Sequence, residues 1–314
     1  MKELLAVDTT LRPLKCLSPG IFGCPVILDL SRQTHFGCRQ NTLSHFRRNY
    51  NNMDIDVEQA SRAYYTHYYR DELGLPEWET RVQLRLQEEE KYGNMNLEKI
   101  EAWLRYNFNG KRVLVIGAGT GAESFSLVKR GAEVYGIEPN ANALEILHLK
   151  SQKLQYPAER FTPDVAEKLS HPENSFDFIY CFTVLEHVQN VEHSIDEMLR
   201  VCKPNGIISI VTPDYRFPLE QHYKLPMAPF SPKWLQYVYL WLMRRPLAFL
   251  KDVNFVTTPQ LDRLFWKRNV ITMRLYEPHL YMWQNTKNYY QKWFTETFAI
   301  QKIQWIFLIK QNKP

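Results

Sequence analysis

Residues 113–124 read VLVIGAGTGAES, a run of β-branched and aliphatic residues that stops at three glycines, Gly117, Gly119 and Gly121. Few folds accommodate such a stretch. Glycine lets the backbone turn sharply at positive φ and approach a ligand closely, and a strand that hands over to a helix points the helix's free N–H groups at that ligand. From about residue 98 the alternation continues: strands are expected at 111–116, 133–137, 160–162, 176–182 and 207–211, with helices at 122–130, 141–155 and 191–202. Strands alternating with helices build a sheet covered on both faces, so the expected fold class is α/β, doubly wound and mostly parallel. After Thr212 the text turns proline-rich and aromatic, before a helix near 259–267, a strand near 270–275 and a terminal strand in IQKIQWIFLIK.

Composition narrows the class further. With 314 residues the chain can bury a sizeable core, and 45% hydrophobic against 23% charged residues suits neither a disordered nor a membrane-embedded protein. The net charge of +5 is spread without a Lys/Arg run, so no nucleic-acid partner is expected. Cys16, Cys24, Cys38, Cys181 and Cys202 are odd in number and lack the short paired spacing of zinc sites, which fits reduced thiols in a cytoplasmic protein. The opening MKELLAVDTT has no continuous apolar core and does not read as a secretory signal. Residues 1–97 read as an N-terminal extension, irregular at first and helical through WETRVQLRLQEEEKYG; 98–314 read as the main domain.

The glycine turn alone leaves its ligand open. GAGTGA satisfies the dinucleotide fingerprint, and Glu138 stands about twenty positions after the first glycine, where a ribose-binding acid belongs. A nicotinamide-dependent oxidoreductase, NAD(P)-linked, therefore remains an alternative at this point.

Five ordered blocks over roughly 98–213 resemble class I S-adenosylmethionine-dependent methyltransferases: VLVIGAGTGAES, VYGIEPN, RFTPDVAEKL, SFDFIYCFTVLEHV and LRVCKPNGIISIVTPDY. The resemblance implies a Rossmann-like, seven-stranded methyltransferase fold over 98–314, with S-adenosyl-L-methionine as cofactor. It further implies that Gly117, Ala118, Gly119 and Gly121 lie against the cofactor's methionine and ribose, and that Glu138 with Pro139 holds the ribose. Asp164 would face the adenine amine, with Val165 and Phe182 also among the cofactor-binding residues. The family often carries an acid two positions before the first glycine; Val115 stands there, and Glu123 is the expected substitute. Such a pocket needs a flexible backbone, a ribose acceptor and an adenine edge, but no catalytic metal.

The acceptor side is less determined. His187 in VLEHV follows the fourth strand, where ligands of such sheets gather, and is either a base or a wall of the pocket. The segment 213–257 reads as a substrate-side insert or lid, stiffened by Pro213, Pro218, Pro226, Pro229 and Pro232. Its HYKLP element resembles a subset of methyltransferases of glycan and polysaccharide pathways, making His222 and Tyr223 further catalytic candidates. WLQYVYLWLM, followed by Arg244 and Arg245, is too short to span a bilayer; it suits a membrane interface, a buried helix or a homodimer contact. The expected activity is methyl transfer to a small-molecule, glycan or lipid-linked acceptor, with O-methylation of a sugar or amphipathic small molecule as the expected chemistry. The alternatives are the oxidoreductase and a non-catalytic cofactor-binding protein on the same fold.

Overall fold

The computed structural model describes residues 56–228, 231–251, 253–268, 270–275 and 302–311, with Trp293, Thr297, Phe298 and Ile300. The expectations for Cys16, Cys24, Cys38 and the irregular first fifty residues lie outside them; Cys181 and Cys202 are buried free thiols.

The strands are β1 (Arg112–Ile116), β2 (Glu133–Ile137), β3 (Phe161–Thr162), β4 (Phe176–Phe182), β5 (Cys202–Pro213), β6 (Val270–Leu275) and β7 (Ile303–Lys310). They form one seven-stranded sheet in the order β3-β2-β1-β4-β5-β7-β6. β1 pairs in parallel with β2 and β4, and β4 with β5, while β7 runs antiparallel to both β5 and β6. The expected doubly wound sheet is the one formed. β5 begins five residues before the expected 207, because Cys202 already pairs with Phe176 and a register shift absorbs the KPNG turn before Phe178 meets Ile207.

The helices are α2 (Trp78–Leu104), α3 (Ala122–Lys129), α4 (Ala141–Lys153), α5 (Val191–Val201), α6 (Lys233–Leu242), α7 (Ala248–Lys251) and α8 (Thr258–Trp266). An earlier helical stretch, 56–66, is taken as α1 and continues into a π-helical turn, His67–Glu72. β1 is buried on both faces, as a central parallel strand must be, and its alternate residues feed two cores. Leu114 and Ile116 join a cluster with Ile195 and Met198 of α5 and Leu261 of α8. Val113 and Val115 join Leu97 and Ile100 of α2 and Leu127 of α3.

α2 runs straight through the boundary drawn at 97/98. Its Leu97 and Ile100 are fully buried in that second core, so the helix belongs to the layer over the sheet. A Cβ on Gly93 would come within 2.6 Å of the Ala122 carbonyl oxygen, so α2 passes close to the start of α3. A third cluster, with Leu73, Leu75, Tyr223, Leu225, Leu240 and Leu250, ties the stretch after α1 to the 213–257 insert.

Candidate active site

β1 and β4 are neighbours in space although β2 and β3 intervene in sequence, so the chain leaves β1 in one direction and returns on its other side. That switch point opens a crevice at the strands' carboxyl ends. A cleft of about 990 Å³ lies there, lined by the glycine turn, Glu138 and Pro139 after β2, Phe182 and Thr183 at the end of β4, and Tyr64, Tyr65 and Tyr68 from the helical extension.

The glycines divide the labour. Gly117 and Gly119 line the cleft at φ of +67° and +55°. A Cβ on Gly119 would meet nothing within 4 Å, whereas one on Gly117 would lie 2.4 Å from Val184 Cγ2. Gly121 departs from the expected contact: it is absent from the cleft wall, and a Cβ there would strike Leu147 and Phe125 at 2.5 Å. It serves the close packing of α3 on α4, at the αL N-cap of α3.

Glu138 is 8% exposed and holds the turn in shape. Its Oε2 accepts from Gly119 N at 2.7 Å and its Oε1 from Asn140 N at 2.8 Å. A carboxylate offers about four lone-pair directions, so each oxygen keeps one for a ligand hydroxyl. Burial raises its pKa, against the pull of these two N–H groups. Asn140 then caps α4, accepting from Asn142 N and Ala143 N.

Above the turn, a polar network missed by the sequence reading fastens the extension down. Tyr65 Oη and Thr120 Oγ1 are 2.7 Å apart, Thr120 Oγ1 donates to Glu89, and Lys150 Nζ donates to Glu89 Oε2 at 2.6 Å and to the Thr120 carbonyl at 2.9 Å. α1, α2, the glycine turn and α4 thus meet at one carboxylate. The aromatic cluster in YYTHYYRDE was the sequence signal for this wall. Glu123 lines the cleft, as does Val115, and receives Asn96 Nδ2 at 3.4 Å. The Tyr180 hydroxyl, also on the cleft wall, sits beside Asn96 and Glu123 without a well-formed hydrogen bond among the described residues.

Asp164 and Val165 are not brought to the cleft. β3 is only two residues long, and Asp164 closes the turn behind it, accepting from Ser170 N at 3.1 Å and Ser170 Oγ at 2.5 Å. Val165 is 44% exposed in a bridge with Lys168. The cleft wall on that side comes instead from Asn142, Glu145 and Ile146 of α4.

Of the three catalytic candidates, Tyr223 faces away. Its ring lies in the third cluster and its hydroxyl donates to the Pro246 carbonyl at 2.7 Å. His187 lines the cleft, and the His222 ring lies 5.1 Å from it, both packed against Phe249. His222 is held by Glu220, which sits 2.7 Å from its Nδ1 and also accepts from Tyr223 N at 2.6 Å. Beneath lies Glu186, fully buried, with Oε2 accepting from Thr212 Oγ1 at 3.0 Å. Burial pushes its carboxyl up to about 7. Desolvation where its ring packs against Phe249, with the neighbouring His222, holds His187 below the usual imidazole range although the residue is exposed at the cleft mouth. Thr183, at the tip of β4, takes φ +52°, a costly conformation for a β-branched residue and one that clusters at functional sites.

The methyltransferase domain family matches residues 84–270, more than half of the chain. A ubiquinone biosynthesis O-methyltransferase of Azoarcus sp. (strain BH72) is 36% identical over 110 residues, covering 34% of this chain and 46% of that protein. A demethylmenaquinone methyltransferase of Tropheryma whipplei (strain Twist) is 32% identical over 129 residues, covering 41% of this chain and 50% of that protein. The chain thus spans about half the length of the curated relatives it matches. The crystal structure of a putative S-adenosylmethionine dependent methyltransferase from Listeria monocytogenes superposes with a TM-score of 0.50 at 15% identity, over 71% of this chain and all of that one, which shows a shared fold. Strand order, glycine turn and family match agree: the chain belongs to the methyltransferase domain family.

Proposed function

We propose that the protein is an S-adenosylmethionine-dependent methyltransferase acting on a hydroxyl of an amphipathic small molecule. The carrying observation is the open space over Gly119 beside a buried carboxylate with unused lone pairs. Ribose hydroxyls can donate to Glu138, and the Tyr180 hydroxyl and Glu123 offer polar partners to the rest of the cofactor. When bound, S-adenosylmethionine supplies an electrophilic methyl group, which the acceptor oxygen takes in line while losing its proton. The chain's share of the catalysis is alignment, which holding two reactants together makes worth several kcal/mol, and a route for that proton.

The acceptor end of the cleft is marked by His187, Phe249 and, behind them, His222 and Glu186. Two relatives are named for quinone steps, and HYKLP suggests glycans; a quinone precursor and a lipid-linked glycan both join a polar ring to an apolar tail. α6 supports the same reading. Trp234, Leu235, Val238, Trp241 and Leu242 form one exposed stripe, with Trp241 68% exposed, while Gln236 and Leu240 are buried beneath. With exposed Arg244 at its end, this face suits peripheral contact with an anionic membrane carrying such an acceptor. No helix among the described residues is long and apolar enough to cross one.

Calorimetry with S-adenosylhomocysteine and NAD tests the cofactor, and labelled methyl transfer into the lipid and glycan fractions of a cell extract tests the acceptor. Binding of NAD without S-adenosylhomocysteine sinks the reading in favour of an oxidoreductase. Cofactor binding with no transfer to either fraction leaves a binding protein instead.

A further inference from the structure

Glu186, His187 and His222 place one ligand atom each within 4.8 Å of one another. The shell behind them is arranged as a metal site's would be. Glu220 takes the Nδ1 side of His222 at 2.7 Å, which leaves its other ring nitrogen free of that contact to serve as a ligand. Thr212 takes Glu186 Oε2 at 3.0 Å, and Glu186 Oε1, in a fully buried side chain, has no hydrogen-bond partner among the described residues. A buried carboxylate oxygen left unpaired is costly unless something occupies it. Orientation of ligands by second carboxylates and hydroxyls is the usual companion of metal binding.

We propose that Glu186, His187 and His222 bind one divalent first-row transition ion, of the zinc class, whose open positions face the cleft and take the acceptor's hydroxyl oxygen. Two imidazoles and a carboxylate suit zinc, manganese, iron or cobalt better than magnesium or calcium, which prefer all-oxygen sets. Ligands of a tetrahedral zinc ion at about 2.0–2.2 Å stand roughly 3.3–3.5 Å apart. The cluster must therefore close by about 1–1.5 Å on binding, a shift of side chains alone. His187 and Phe249 line the cleft, so an ion there borders the acceptor's space. A coordinated hydroxyl loses its proton to water in the cleft more easily, and the resulting alkoxide or phenoxide forms the new O–CH3 bond as the cofactor's S–CH3 bond breaks and S-adenosylhomocysteine leaves. The role in transfer rests on the function proposed above; the ion site itself does not.

The test uses the whole chain, stripped with a chelator and titrated with Zn²⁺ and Co²⁺, with bound metal measured by elemental analysis and cobalt coordination by visible absorption. One ion per chain at micromolar affinity or tighter is expected. His222→Ala and Glu186→Gln should each weaken it at least 100-fold, and Glu220→Gln by about 10–100-fold through loss of the His222 orientation. Unchanged S-adenosylhomocysteine binding in His222→Ala shows that the cleft is still folded. Failure of the wild type to hold an ion, or equal affinity in His222→Ala, overturns the site and leaves the histidines as proton acceptors alone. An ion held by a chain that ignores S-adenosylhomocysteine supports the site and overturns the cofactor reading instead.

Discussion

The Glu138 carboxylate closes the turn through Gly119 N and Asn140 N while offering its remaining lone pairs to the cleft. Glu138→Ala should therefore weaken S-adenosylhomocysteine binding by about 1–3 kcal/mol, as read by calorimetry; unchanged affinity removes the residue from the site. Because burial raises its pKa, the proton that ends its acceptor role binds above the ordinary carboxylate range. Affinity of the wild type should accordingly fall on acidification from a pH above that range, and Glu138→Gln should lack the step. The glycines separate fold from ligand. Gly119→Val projects into open space, so it should abolish cofactor binding with only the ~1–2 kcal/mol cost of a left-handed side chain. Gly117→Ala collides with Val184 and should lower the thermal midpoint further; equal midpoints for the two variants would refute this division. Gly121, read in the sequence as a ligand contact, shows the limit of a motif: spacing reveals that a side chain is excluded, but not by what.

Among the elements, periodicity located β2, β4 and β6 at their observed bounds and placed α3, α4, α5 and α8 to within a residue or two, because alternating burial imprints a period on the chain. Elements whose partners lie far away were less legible. α6 is apolar on all sides, so its sequence cannot say which side is covered, and only packing on Leu73 and Leu250 decides that Leu240 is buried while Trp234 and Trp241 are not. If that stripe meets a membrane, Trp234→Gln combined with Trp241→Gln should abolish co-sedimentation with anionic liposomes. Stability should change by no more than roughly 0.5 kcal/mol per substitution, as at other exposed positions. Retained co-sedimentation in the double variant, or none in the wild type, rules out this face as the contact. The two residues of β3 are too few to carry a period into the loop beyond them, and Asp164 in that loop closes a local turn.

For the protein in its entirety, a ligand that binds only the folded state stabilises it by RT ln(1 + [L]/Kd), about 2.7 kcal/mol at a hundredfold excess. S-adenosylhomocysteine should thus raise the thermal midpoint by several degrees while NAD leaves it unmoved, and the reverse order would reassign the cleft. The doubly wound sheet, the glycine turn and the acid at the tip of β2 were legible in the chain before folding, because strand–helix alternation and a local glycine turn are written in neighbouring residues. The folded arrangement was needed to show which aromatic wall covers the cleft, that Tyr223 points away, and that Glu186 and His187 meet His222 of the insert. Those groupings join segments tens of residues apart, and nothing in the spacing of a chain records a contact that folding creates across an intervening strand, loop or helix.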